Sequence, residues 1–180
     1  RIQGQKTAAF EIVEEMESTP DYLFIPVGNA GNITAYWAGF TDALRMEWTN
    51  TRPKMMGFQA EGAAPIVKGQ PITGPETVAS AIRVGNPASW QGAVQARDES
   101  GGIIDMVSDQ DILEAYRLMA QQEGIFCEPA SAASMAGLLK CFKEGLHLKG
   151  KRVVCVITGT GLKDPDLAET LEPVSMEEYP

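Results

Sequence analysis

Residues 23–35 read Leu-Phe-Ile-Pro-Val-Gly-Asn-Ala-Gly-Asn-Ile-Thr-Ala, an apolar strand that passes through two glycines and two asparagines into a helical pattern. Such a stretch builds an anion cradle. Glycines let successive backbone N–H groups turn toward one point, and a helix beginning near Ile33 adds the positive end of its macrodipole there. A phosphate group suits that chemistry. The competing reading is a plain turn whose asparagines tolerate unusual backbone angles. Position favours the site, because ligands of open α/β sheets collect at the carboxyl ends of strands. The loop carries neither Gly-x-Gly-x-x-Gly nor Gly-Lys-Ser/Thr, which disfavours dinucleotide and Walker-type sites.

Two other segments deliver reactive groups at strand ends. Residues 153–165, Val-Val-Cys-Val-Ile-Thr-Gly-Thr-Gly-Leu-Lys-Asp-Pro, predict a buried strand that ends on a hydroxyl and glycines. Thr158 there either faces a ligand or caps its own strand end, and Lys163 and Asp164 read as a capping and surface pair. Residues 124–134, Gly-Ile-Phe-Cys-Glu-Pro-Ala-Ser-Ala-Ala-Ser, predict a strand running into a helix. Glu128, ahead of Pro129, can stabilise that helix N-terminus electrostatically. His147 is the single histidine; zinc has no histidine pair here, and no adjacent acid supports a catalytic triad.

The elements that must position these groups alternate between short apolar strands and longer amphipathic helices. That alternation predicts an α/β fold: a mainly parallel, open sheet flanked by helices. Strands are expected over 23–27, 55–59, 103–107, 125–127 and 152–157. Helices are expected over 7–18, 33–47, 88–100, from Ser108 to about 122, and over 130–144, with short ones near 65–69 and 76–81. Ser108 is a candidate N-cap with Asp111 three residues on. The 130–144 helix is rich in Ala, Ser and Gly, so it can lie close to neighbouring backbone.

A chain of 180 residues can bury about 70% of its unfolded surface, enough for one domain. We place that α/β domain at 1–165, followed by an acidic tail at 166–180 carrying Glu169, Glu172, Glu177 and Glu178. A net charge of -9 and the absence of any long basic run weigh against nucleic acid and acidic membrane surfaces as partners. An anionic ligand is still compatible, since a local nest of amides binds phosphate whatever the net charge. Cys127, Cys141 and Cys155 fall in apolar surroundings without a Cys-x-x-Cys pair, which predicts buried free thiols and a reducing, cytoplasmic compartment. No signal-peptide core or membrane-length apolar run occurs, and Arg1 with the residues after it reads as the interior of a longer polypeptide.

Taken together, four motifs resemble the carboxyl-terminal portion of the threonine synthases, among the fold type II pyridoxal phosphate enzymes typified by the tryptophan synthase β subunit. They are Gly28-Asn29-Ala30-Gly31-Asn32, Ile82-Arg83-Val84-Gly85-Asn86-Pro87-Ala88-Ser89-Trp90, Glu128-Pro129-Ala130-Ser131-Ala132, and residues 158–165. Gly4-Gln5-Lys6-Thr7-Ala8 shares the likeness, which spans nearly the whole chain. The resemblance implies that Gly28, Asn29, Ala30, Gly31 and Asn32 hold the phosphate of pyridoxal 5'-phosphate and that Thr158 faces the pyridine nitrogen. A neutral hydroxyl there would leave the ring a weaker electron sink than a carboxylate would. Asn86, Ser89 and Glu128 are implied as neighbours of cofactor or substrate.

The implied reaction converts O-phospho-L-homoserine and water to L-threonine and phosphate, in an enzyme expected to be a homodimer. Its proton transfers rely on a Schiff-base lysine. In the family that lysine lies well upstream of the phosphate loop, and nothing before Leu23 matches its segment, so no catalytic residue is assigned within this chain, which is expected to be inactive alone. Two alternatives stand. A serine or threonine dehydratase shares the fold, although the Thr-Gly-x-Gly-Leu-Lys-Asp-Pro ending argues against it; a non-catalytic module binding a phosphorylated metabolite would also need no lysine.

Overall fold

The computed structural model describes residues 1–165 and 167, so the acidic tail expected at 166–180 lies outside the described residues except for Leu167. Four parallel strands form the sheet: β1 (Tyr22–Pro26), β2 (Lys54–Ala60), β3 (Ile103–Val107) and β4 (Val153–Cys155), in the order β3-β2-β1-β4. The helices are α1 (Ile2–Gln5), α2 (Thr7–Met16), α3 (Gly31–Arg45), α4 (Pro65–Lys68), α5 (Trp90–Ser100), α6 (Asp109–Glu123) and α7 (Pro129–Lys143). The expected α/β architecture is what the chain adopts.

Both faces of the sheet are covered, which is why its central strands read as continuous apolar runs rather than alternating ones. Phe24, Met56 and Phe58 belong to a core shared with α6 and α7, while Leu23, Ile25 and Met55 face a second core built with α2, α3 and α5. Phe24 and Phe58 stack with centroids 5.9 Å apart. In register, Phe24 sits between Met56 and Cys155. The entrance to β1 is tied to β4 by Asp21, whose carboxylate accepts from the Arg152 amide at 2.9 Å and Lys151 Nζ at 3.0 Å. These two bonds, the backbone one first, hold its carboxyl below the usual range.

Glycine decides how near α7 comes to the sheet. A Cβ at Gly137 would fall 2.2 Å from Cδ2 of the fully buried Phe58 ring. The small residues of α7 therefore do what their composition predicts. The capping box at α6 also forms: the Asp111 amide donates to Ser108 Oγ at 3.1 Å and the Ser108 amide to Asp111 Oδ2 at 3.2 Å.

Three expectations need correction. Residues 76–81 do not form a helix; only Ser80–Ile82 makes a 3-10 turn. Asp109 captures the segment instead, accepting from Thr77 Oγ1 at 2.5 Å and the Val78 amide at 3.1 Å, while Thr77 Oγ1 accepts from the Ala79 amide. Such side-chain bonds offer the backbone an alternative to helix. Residues 125–127 contribute only an isolated antiparallel bridge, Cys127 with Thr160, rather than a strand.

The strand expected over 152–157 shortens to three residues, and all three are half-buried because β4 lies at the sheet edge. Past Cys155, Val156 still donates to the Phe24 carbonyl at 2.9 Å, but its own carbonyl accepts from Ser134 Oγ at 3.1 Å. The first turns of α7 thus take over the chain from the ladder. The other boundary shifts are small: α2 ends at Met16 rather than 18, α3 runs Gly31–Arg45 rather than 33–47, and α5 starts at Trp90 rather than 88.

All three thiols are free; Cys127 and Cys141 are buried and Cys155 is half-buried. Burial pushes the Cys155 thiol up to about 12 and the Cys141 thiol up to about 11, and raises Cys127 as well. A thiol-titrating reagent at pH 8 should therefore label none of the three within minutes in the folded chain and all three in denaturant. Rapid labelling of one in the folded state would contradict this packing. For α7, denaturant unfolding of Gly137→Val should show a loss of about 2–3 kcal/mol from overpacking against Phe58. Gly4→Ala, with nothing within 4 Å of the added methyl, should leave stability unchanged or raised.

Candidate functional site

Parallel pairing brings the carboxyl ends of β1 and β4 to one edge of the sheet, where a cleft of about 730 Å³ opens. Its walls include Gly28, Asn29, Ala30, Gly31 and Asn32 from the loop after β1, Ala88 and Ser89, and Glu128, Thr158 and Lys163 from the other side. Segments far apart in sequence converge there.

The cradle is built on asparagine side chains that point back into the protein. Asn32 Nδ2 donates to the Pro26 carbonyl at 2.7 Å while its Oδ1 accepts from the Ile33 amide at 2.8 Å. Asn29 Oδ1 accepts from the Ala88 amide at 2.7 Å, and the Asn29 carbonyl accepts from the Ser89 amide at 3.2 Å. With the side chains so engaged, the backbone amides of residues 28–32 find no acceptor among the described residues. Five successive N–H groups beside the start of a 15-residue helix are thus left open to an acceptor from outside the chain.

The glycines act differently from the sequence expectation. The left-handed residue of the loop is Ala30, at φ 63, and neither Gly28 nor Gly31 has a positive φ. Gly28 is needed for close approach: a Cβ would lie 2.9 Å from Ile82 Cα and 3.0 Å from the Ala81 carbonyl. At Gly31 a Cβ would meet only Gln5 Oε1 at 3.8 Å and Ser89 Oγ at 4.0 Å, so it would occupy space in the cleft itself. Gly31 keeps the cradle open.

On the opposite side, Thr158 Oγ1 donates to Glu128 Oε1 at 3.0 Å and lies 2.9 Å from Ser131 Oγ. Ser131 Oγ accepts from the amides of Thr158 at 2.9 Å and Gly159 at 3.0 Å. Glu128 is buried, with Lys163 Nζ at 3.9 Å from its other oxygen. Its carboxyl makes no capping bond to α7, so the helix-stabilising role read from the sequence is not carried by a hydrogen bond. Gly159 permits this arrangement, since a Cβ there would lie 2.7 Å from Glu128 Cδ. Asp164 reaches across to Ser80, whose hydroxyl donates at 2.9 Å and ties the two rims together.

Of the residues singled out in the sequence, Gly28 to Asn32, Ser89, Glu128 and Thr158 share this cleft. Asn86 is exposed and outside its lining. Arg1 lines the cleft without having been singled out, Gln5 and Lys163 line it from within motifs that had given them no ligand role, and Ser131 and Gly159 support the far wall. Ser131 had a signal: it follows Glu128 by three residues, one helical turn, and so returns to the same side.

The family described as "Pyridoxal-phosphate dependent enzyme" matches residues 1–159. The chain belongs to that family. Its curated relatives include threonine synthases from Bacillus sp. (strain ULM1), 60% identical over 93% of this chain and 47% of that protein, and Synechocystis, 59% identical over 93% and 44%. That of Methanocaldococcus jannaschii is 47% identical over 98% of this chain and 46% of that protein. The chain thus spans about half the length of these relatives. Among solved structures, threonine deaminase isoform 2 from Solanum lycopersicum has a TM-score of 0.74 at 20% identity, covering 93% of this chain and 45% of that one. Maize serine racemase has 0.70 at 19%, covering 93% and 50%. At that identity the likeness is one of fold, and it is the fold expected from the sequence.

The residues present suit pyridoxal phosphate. Five free amides match a phosphoryl group, the space kept by Gly31 admits it, and the Thr158 hydroxyl stands on the facing wall. Gly31→Val should therefore weaken uptake of pyridoxal phosphate at least tenfold while the melting temperature stays within about 2 °C, because its side chain enters the cleft and not the core. Gly28→Val should lower both, because it pushes on the Ala81 and Ile82 backbone. Equal cofactor uptake by all three proteins would refute the cradle.

Proposed function

We propose that this chain is the carboxyl-terminal, cofactor-binding part of a threonine synthase, which converts O-phospho-L-homoserine and water to L-threonine and phosphate. The observation that carries the reading is the identity of 60% and 59% to threonine synthases over 168 residues, far above the 19–20% shared with the deaminase and racemase of like fold. The ending Thr158-Gly159-Thr160-Gly161-Leu162-Lys163-Asp164-Pro165 supports it against a dehydratase. The same reading carries with it a homodimeric enzyme in the cytoplasm. Among the described residues no helix is long and apolar enough to cross a membrane.

Within that reading, Gly28, Asn29, Ala30, Gly31 and Asn32 bind the cofactor phosphate through their amides, and Thr158 meets the pyridine nitrogen. Bound pyridoxal phosphate supplies an electron-withdrawing ring that stabilises negative charge next to the substrate amino nitrogen. Asn29 and Asn32 orient the amides, Glu128 and Ser131 orient Thr158, and Ser89 stands near enough to Gly31 to touch what the cradle holds. Asn86 has a substrate role only if the exposed loop that bears it moves toward the cleft.

Of the lysines, Lys163 alone lines the cleft among the described residues, and its amine faces Glu128. We place the Schiff-base lysine outside this chain. The test is an assay of the full-length protein that bears this segment. Phosphate released from O-phospho-L-homoserine, matched by threonine formed, is the expected result, and the 180-residue chain alone should release none. Formation of 2-oxobutanoate from threonine, without phosphate release from the ester, would replace this reading with a dehydratase.

A further inference from the structure

Residues 77–82 run from the start of α6 to the back of the cradle, and hydrogen bonds link one end to the other. The Thr77 hydroxyl donates to Asp109 Oδ1 at 2.5 Å and the Val78 amide to Asp109 Oδ2 at 3.1 Å. Thr77 Oγ1 in turn accepts from the Ala79 amide at 3.1 Å, the Val78 carbonyl from the Ser80 amide at 3.1 Å, and the Ala79 carbonyl from the Ile82 amide at 3.0 Å. The relay ends against Gly28, where a Cβ would lie 2.9 Å from Ile82 Cα and 3.0 Å from the Ala81 carbonyl. Thr77, Ala79 and Ile82 are buried along this path. Asp111 stands two residues on at the same helix end, yet its carboxylate takes only the amide and hydroxyl of Ser108, within the cap.

We propose that Asp109 is a positioning residue for the anion cradle, acting through residues 77–82 on the backbone at Gly28. This rests on the reading above that the cradle holds the phosphate of pyridoxal phosphate. Asp109 does not line the cleft, so its effect on a ligand passes through the segment it holds. Residues 76–81 carry a helical pattern of their own, and the bonds to Asp109 hold Thr77 and Val78 off that course. Without the carboxylate, the Thr77 hydroxyl and the Val78 amide lose their acceptor, a cost the segment escapes by moving toward its local preference. Ala81 and Ile82 then draw away from Gly28, and the amides of residues 28–32 lose the backing that keeps them in place. A nest of amides binds an anion only while they converge on it.

Cofactor affinity and the 31P resonance of the bound phosphate, measured on the full-length protein that bears this segment, separate positioning from stability. Asp109→Ala should weaken uptake of pyridoxal phosphate about fivefold or more and shift the 31P resonance at saturation. Asp109→Asn, which keeps one carbonyl oxygen as acceptor, should fall between it and the wild type. Asp111→Ala, which removes the capping carboxylate of the same helix, should lower the melting temperature yet change affinity by less than about twofold and leave the resonance in place. Should Asp109→Ala not fold, Thr77→Val carries the test, since it removes the hydroxyl and keeps the carboxylate; the same weakening and shift are expected. Wild-type affinity and resonance in folded Asp109→Ala or Thr77→Val overturn the proposal, and so do equal losses of affinity in Asp109→Ala and Asp111→Ala. Failure of the wild type to take up cofactor overturns the assignment of the cradle instead, which keeps the two claims apart.

Discussion

Parallel pairing of β1 with β4 is the constraint on which the rest of the site depends. Parallel strands exit a sheet on the same side, so the register of Leu23 with Val154 and Phe24 with Cys155 aims the loop after each strand at the same cleft. Only three residues of β4 hold this register, and the strand is at the edge. What makes so short a pairing sufficient is that both ends are tied by side chains. Asp21 fastens the entrance through Arg152 and Lys151, and Ser134 and Ser131 of α7 receive the chain as it leaves. Helix and strand are thus exchanged as hydrogen-bond partners within four residues, and that exchange delivers the Thr158 hydroxyl to the cleft.

The central strands and long helices were legible because each satisfies a local and a global requirement at once. Leu23, Phe24 and Ile25 favour extended chain and are buried on both faces; Ser108 and Asp111 mark a helix start whatever surrounds them. The segments that were misread are those in which a distant side chain overrides local preference. Residues 76–79 have a helical pattern but meet Asp109, more than 30 residues away, and residues 156–157 have a strand pattern but Val156 gives its carbonyl to Ser134. No window along the chain contains both partners of such a bond.

The site shows the same division. The cradle was visible because its glycines and asparagines are adjacent, yet the reason for each glycine was not. Gly28 is small because Ala81 and Ile82 lie against it, and Gly31 because the cleft lies beyond it; both facts belong to the packed structure. Ala30, the residue in the left-handed conformation, carries no sequence mark of it, because alanine is not a residue that favours positive φ; its place is set by the core it is buried in. Ser131 lay inside a motif already recognised, but its importance comes from accepting two amides of residues 158 and 159, a contact across 27 and 28 positions.

The proposed anion site in a chain of net charge -9 is paradoxical only if charge is averaged over the molecule. Surface charges farther than roughly 8 Å from a point are largely screened at physiological ionic strength. What counts locally is the lining: five amides without acceptors among the described residues, the N-terminal end of α3, and the cations Arg1 and Lys163 in the same cleft. Among the described residues the one carboxylate in the lining, Glu128, accepts from Thr158 and has Lys163 Nζ 3.9 Å from its other oxygen, which offsets part of its charge. The acidic composition is then compatible with the proposed anion site, and amides on one wall facing a carboxylate on the other give the cleft a polarity from end to end, which is the arrangement a phosphate-bearing ligand would meet.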